Sequence, residues 1–124
     1  MKNFIVVLVV AVGSLFSVNA QKSHNIIALE QTKGEFTQKK ITVDEGTYVF
    51  EIANNAVGHD VGFVLVKKGE DITKPENHIK TAYVTKAVVT GAKQTSNPTT
   101  LEKGEYIYFC PLNPTSTDNV LIVK

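Results

Sequence analysis

Cys110 is the only cysteine in the 124 residues, and His24, His59 and His78 are the only imidazoles. A thiolate and an imidazole brought together make a ligand pair for a soft metal ion or a nucleophile with its base. The nucleophilic use also needs an orienting third group and an oxyanion hole. No motif in the chain supplies either, so no enzyme is expected. Cys110 closes the run Gly104-Glu105-Tyr106-Ile107-Tyr108-Phe109-Cys110, and Pro111 and Pro114 follow it. Side chains of a strand alternate, which puts Tyr106, Tyr108 and Cys110 on one face and Ile107 and Phe109 on the other. Proline has no amide hydrogen for a ladder, so the strand ends there and its thiol sits on the lip of a loop. The competing readings are structural. Free cysteine is among the most buried residue types, and His59 also suits a strand start, hydrogen-bonded to loop backbone.

The elements that must position these groups are short strands. Ser23 to Glu30 reads as the first, followed by a polar turn at Gln31 to Gly34. Phe36 to Val43 reads as a weaker strand whose Lys39-Lys40 pair suits a sheet edge. Thr47 to Ala53 is strong, with Tyr48, Phe50 and Ile52 on one side. His59 to Val66 places His59, Val61, Phe63 and Leu65 together. Tyr83-Val84 and Ala87 to Thr90 are short strand candidates, and Gly91 to Pro98 is a polar connection. Ile72 to Lys80 reads as a loop or one helical turn, and Val120 to Val123 as a terminal strand. Seven or so short strands between turn signals predict an all-β, Greek-key β-sandwich or barrel. The segments Ile41 to Phe50 and Thr99 to Tyr108 echo each other in type: aliphatic, acidic, Gly turn, aromatic alternation. They predict two similar strand-turn-strand units.

Residues 1–20 read as a signal peptide. Lys2 is a short basic start, Phe4 to Phe16 is nearly unbroken apolar, and Ser17-Val18-Asn19-Ala20 offers small residues for cleavage before Gln21. The apolar run is short for a membrane span of ~20 residues. Residues 21–124 are then one domain with one core, periplasmic or secreted. The domain has twelve lysines, no arginine and twelve acidic residues. Without a charge surplus or a guanidinium fork, neither nucleic acid nor a membrane surface is an expected partner. An odd cysteine in an exported domain points to a buried thiol, an intermolecular disulfide or a metal ligand.

Asn54-Asn55-Ala56-Val57-Gly58-His59-Asp60-Val61-Gly62-Phe63 resembles the loop and strand that bear the first copper-binding histidine of cupredoxins, the family of plastocyanins, pseudoazurins and amicyanins. Gly104-x-Tyr106-x-Tyr108-x-Cys110 resembles the strand that presents their copper thiolate. The two segments stand in family order, and the resemblance covers nearly all of residues 21–124. It implies a cupredoxin-like sandwich with copper as cofactor and His59 and Cys110 as ligands. The family's copper takes two imidazoles and a thiolate in a plane, with a long axial thioether. At the family spacing Asn113 stands where the second histidine is expected and Asp118 near the methionine. An immunoglobulin-like sandwich is the rival fold, but that domain offers a second cysteine and a core tryptophan, and this chain has neither.

Two functions follow as expectations. One is copper carriage or electron transfer through a reduced His59/Cys110 set, with a redox or copper-exchanging protein as partner. The other is a metal-free interaction module built on a degenerate copper site.

Overall fold

A computed structural model describes residues 25–124. The expected signal peptide and His24 lie outside the described residues. Strands β1 (Asn25–Thr32), β2 (Glu35–Phe36), β4 (Gly46–Asn54), β6 (Lys93–Thr95) and β7 (Thr99–Leu101) form one sheet. Strands β3 (Lys40–Val43), β5 (Val64–Lys67), β8 (Gly104–Phe109) and β9 (Asn119–Val123) form the other, in the order β3-β9-β8-β5. In the first sheet the order is β2-β1-β4-β6, and β7 also pairs with β4. The architecture is the expected β-sandwich, and β3, which begins at Lys40, is a sheet edge.

The core follows from the alternation. β1 and β4 run parallel with Ile27 opposite Phe50 and Leu29 opposite Ile52, so these four side chains enter the interior together. β8 and β9 answer from the other sheet with Tyr106, Tyr108, Leu121 and Val123. Phe36, Phe50, Phe63 and Tyr108 meet at the centre, with ring centroids 4.9–6.1 Å apart. Burial of each such side chain contributes about 1.5–3 kcal/mol.

Tertiary pairing corrects several expected boundaries. β1 runs two residues past Glu30, because its ladder with β4 continues to Gln31 opposite Asn54. The expected strand over Phe36 to Val43 divides: β2 pairs with β1, β3 with β9, and Thr37 to Lys39 cross between the sheets. The expected strand over His59 to Val66 is a ladder only from Val64. Upstream, Val61 joins by a single bridge to Val88. Val64 and Val66 are buried although they point away from the interior. Ile72 to Lys80 contributes a 3-10 turn at Pro75–Asn77 and, with Lys80–Ala82, covers that side. Ile79 there donates its N–H to the Leu65 carbonyl at 2.9 Å.

The sequence echo has a structural meaning. Each unit is an arch crossing from one sheet to the other, β3 to β4 and β7 to β8. The arches lie side by side, with Gly46 opposite Leu101. Tyr48 donates its hydroxyl to the Asp44 carbonyl at 2.6 Å, and Tyr106 donates to the Glu102 carbonyl at 2.9 Å. Both bonds reach back four residues. Gly46 (φ 157°) and Gly104 (φ 148°) hold backbone conformations that side chains disfavour.

Candidate metal centre at Cys110

β4 and β8 both start at the arches and run to the opposite end, where the Asn54–Phe63 and Cys110–Asn119 segments meet. Cys110 directly follows β8, on the same face as Tyr106 and Tyr108, and is 2 % exposed. Its Sγ accepts two backbone hydrogen bonds, from Gly62 N–H and from Asn113 N–H, each at 3.3 Å. The two donors fix the sulfur at the end of the strand. Its own N–H donates to Thr115 Oγ1 at 3.1 Å, which turns the chain out of the strand.

His59 is three residues upstream of Gly62, and three residues reach at most ~10 Å. The histidine-bearing loop and the cysteine therefore share one rim of the sandwich. The loop is fixed by buried Asn54, whose Nδ2 donates to the His59 carbonyl (2.7 Å) and the Val88 carbonyl (2.9 Å). Asn54 Oδ1 accepts the Val57 N–H at 3.0 Å. Ala56 takes a left-handed conformation (φ 59°) within it. The imidazole itself is exposed, with Nδ1 2.9 Å from the Asp60 carbonyl, so Nδ1 carries the hydrogen. No hydrogen bond joins it to Cys110. The residue preceding the Gly62 N–H is Val61, fully buried.

Asn113 is 2 % exposed, and every polar atom of its side chain has a protein partner. Nδ2 donates to Gln31 Oε1 (3.0 Å) and to the Thr32 carbonyl (2.9 Å), while Oδ1 accepts the Gly34 N–H (2.9 Å). Asp118 is exposed and hydrogen-bonded to Ser116. His78 lies elsewhere, on the covered side of the β5–β8 sheet. Its Nε2 donates to the Ile72 carbonyl at 2.9 Å and its Nδ1 meets Tyr83 Oη at 2.6 Å. Among the described residues no three His, Cys, Asp or Glu side chains cluster as metal ligands.

The trigonal set of two imidazoles and a thiolate therefore does not fit here. The sulfur is held by two N–H donors, the His59 loop lies on the same rim, and the position expected for a second imidazole holds a fully engaged amide. Sequence reasoning missed Gln31, which is 0 % exposed and donates Nε2–H to the Gly62 carbonyl at 2.8 Å. The signal that could have found it is phase: Gln31 continues the period of Ile27 and Leu29 along the buried face of β1.

Known proteins agree with this architecture. Auracyanin A, described as a blue copper protein from the green thermophilic photosynthetic bacterium Chloroflexus aurantiacus, is 18 % identical, covers 80 % of this chain and 98 % of its own, and superposes with a TM-score of 0.64. An auracyanin from Roseiflexus castenholzii gives 21 % identity, 82 % and 98 % coverage and a TM-score of 0.62. Amicyanin from Paracoccus versutus gives 20 %, 80 % and 81 %, and 0.52. These likenesses establish the fold. No curated protein matches the sequence. The copper binding proteins of the plastocyanin/azurin family match residues 24–118, most of the chain. This chain belongs to that family, and copper is the cofactor its membership supports.

Proposed function

We propose that this chain is an exported cupredoxin that holds copper as Cu(I) through Cys110, with His59 as second ligand. It then passes copper or an electron to a protein partner. The observation that carries the reading is the pair of N–H groups, from Gly62 and Asn113, converging on Cys110 Sγ. Those donors match the negative charge a metal-bound sulfur carries and hold the sulfur in one place. A thiolate and an imidazole suit Cu(I), whereas an amide oxygen at Asn113 would be a poor replacement for imidazole. Copper, when bound, supplies a one-electron couple. The chain's own residues anchor it, and the exposed His59 leaves the rim open to a partner. Export rests on the composition of residues 1–20, and no catalytic role is assigned.

Competitive Cu(I) titration of the protein, of Cys110→Ser and of His59→Ala tests this. Stoichiometric uptake by the wild type, lost in Cys110→Ser and weakened in His59→Ala, is expected. Equal, weak uptake by the wild type and Cys110→Ser would overturn it.

A second reading is the metal-free interaction module. The complete hydrogen bonding of Asn113 favours it, since the cysteine loop is held without a metal. Exposed Leu112 beside Pro111 would then face the partner.

A further inference from the structure

The two N–H groups that hold the sulfur come from distant parts of the chain, and one buried side chain touches both of their residues. Gln31 Nε2–H donates to the carbonyl of Gly62 at 2.8 Å, and Gln31 Oε1 accepts from Nδ2 of Asn113 at 3.0 Å. Gly62 and Asn113 are the residues whose backbone N–H groups point at Cys110 Sγ. Gln31 makes no hydrogen bond to the sulfur itself.

The polarity of this chain of bonds allows only one orientation of each amide. The Thr32 carbonyl can only accept and the Gly34 N–H can only donate, which fixes Asn113 with Nδ2 toward Thr32 and Oδ1 toward Gly34. Asn113 Nδ2 must then face an acceptor, which fixes Gln31 Oε1. The remaining Gln31 Nε2 faces the Gly62 carbonyl, again an acceptor. A carboxylate at either position would set oxygen against oxygen.

We infer that Gln31 is a positioning residue for Cys110: its carboxamide clamps Gly62 and Asn113 together and so aims both N–H donors at the sulfur in the metal-free protein. Asn113 is part of the same clamp, which is why the place of a second imidazole is unavailable to a metal. The link to copper rests on the proposed role of Cys110; the clamp itself does not. A ligand loop ordered by amides before metal arrives loses little order when the metal leaves, which suits reversible loading.

The test compares Gln31→Met with Leu29→Ala, a core substitution two residues away on the same face of β1. Backbone amide exchange is followed by NMR in the metal-free protein, and Cu(I) affinity by competition. In Gln31→Met the Gly62 and Asn113 amides are expected to exchange at least tenfold faster than in Leu29→Ala. The Val61 and Val88 amides, which bond to each other's carbonyls, should differ little between the two variants. Cu(I) affinity should fall about 10-fold or more in Gln31→Met only, as losses of outer-shell ligand support do. Unchanged Gly62 and Asn113 exchange, or a rise shared equally by all four amides, overturns the clamp. If Gln31→Met fails to fold, Asn113→Ser removes the side-chain half of the clamp, keeps the backbone N–H, and is judged by the same Gly62 exchange. Should the wild type bind no copper through Cys110, the exchange comparison still decides the clamp, so the two proposals fail separately.

Discussion

The two ends of this sandwich are closed by different means. At the arch end, two tyrosines each bond a carbonyl four residues back along their own arch, and two glycines allow the turns. At the cysteine end, closure depends on buried amides that bridge distant parts of the chain: Asn113 reaches Gln31, Thr32 and Gly34 across about eighty residues. Asn54 ties the loop of His59 to the distant Val88 carbonyl, and its other two bonds, to the His59 carbonyl and the Val57 N–H, are local. The arch end repeats one local solution twice. The cysteine end is built once, from long-range polar contacts inside an otherwise apolar interior, and such contacts are costly to break because burial denies the orphaned groups water.

The contrast predicts unequal losses. Gln31→Met should cost the most, about 2–4 kcal/mol, because it leaves the Gly62 carbonyl and one of the two N–H groups of Asn113 Nδ2 without partners, at about 1–3 kcal/mol each. Urea unfolding measures this, and a loss under about 1 kcal/mol would break the comparison. Tyr108, in the core two residues before Cys110, comes next. Its hydroxyl donates to the Gln38 carbonyl at 2.5 Å, and burial pushes its pKa up to about 12. The unfolded phenol ionises near its ordinary value of 10.0. The stabilisation is therefore complete below pH 10 and is lost as pH rises toward 12, by an amount on the order of 2–3 kcal/mol. The pH profile of stability should carry that alkaline limb in the wild type and lack it in Tyr108→Phe. The arches give the smallest effects. Tyr48→Phe should lose about 1 kcal/mol, the worth of one hydrogen bond, and Tyr106→Phe slightly more, since its hydroxyl also accepts the Glu102 N–H at 3.3 Å. Each leaves the other arch intact, so the pair should be additive within about 0.5 kcal/mol. A strongly unequal pair would mean that the echo is not one solution used twice.

The same contrast explains what could be read in the chain. The arch end was legible because its chemistry is local: Gly46-x-Tyr48 and Gly104-x-Tyr106 state the turn and the aromatic that braces it within a few residues. The core faces of β4 and β8 were legible for the same reason, since alternation of Tyr48, Phe50 and Ile52 is visible without knowing the partner strand. At the other end Cys110 was legible as a strand-end thiol. Gln31 was not. Its polarity reads as a turn, and only the ladder with Asn54 and the partner Asn113 make it a buried strand residue. The stretch from His59 to Phe63 misled in the opposite way. Its alternation is that of a strand, yet Val61 has only one bridging partner there, Val88, and His59 is left outside the ladder. Asn113 stands in a histidine's place by sequence spacing alone, but its bonds to the β1–β2 turn exist only in the fold.

The most direct measurement of the central claim is X-ray absorption at the copper edge of the protein loaded with one equivalent of Cu(I). The account predicts a single sulfur scatterer with nitrogen, in low coordination, and loss of the sulfur in Cys110→Ser. A shell of nitrogen and oxygen alone in the wild type would contradict it.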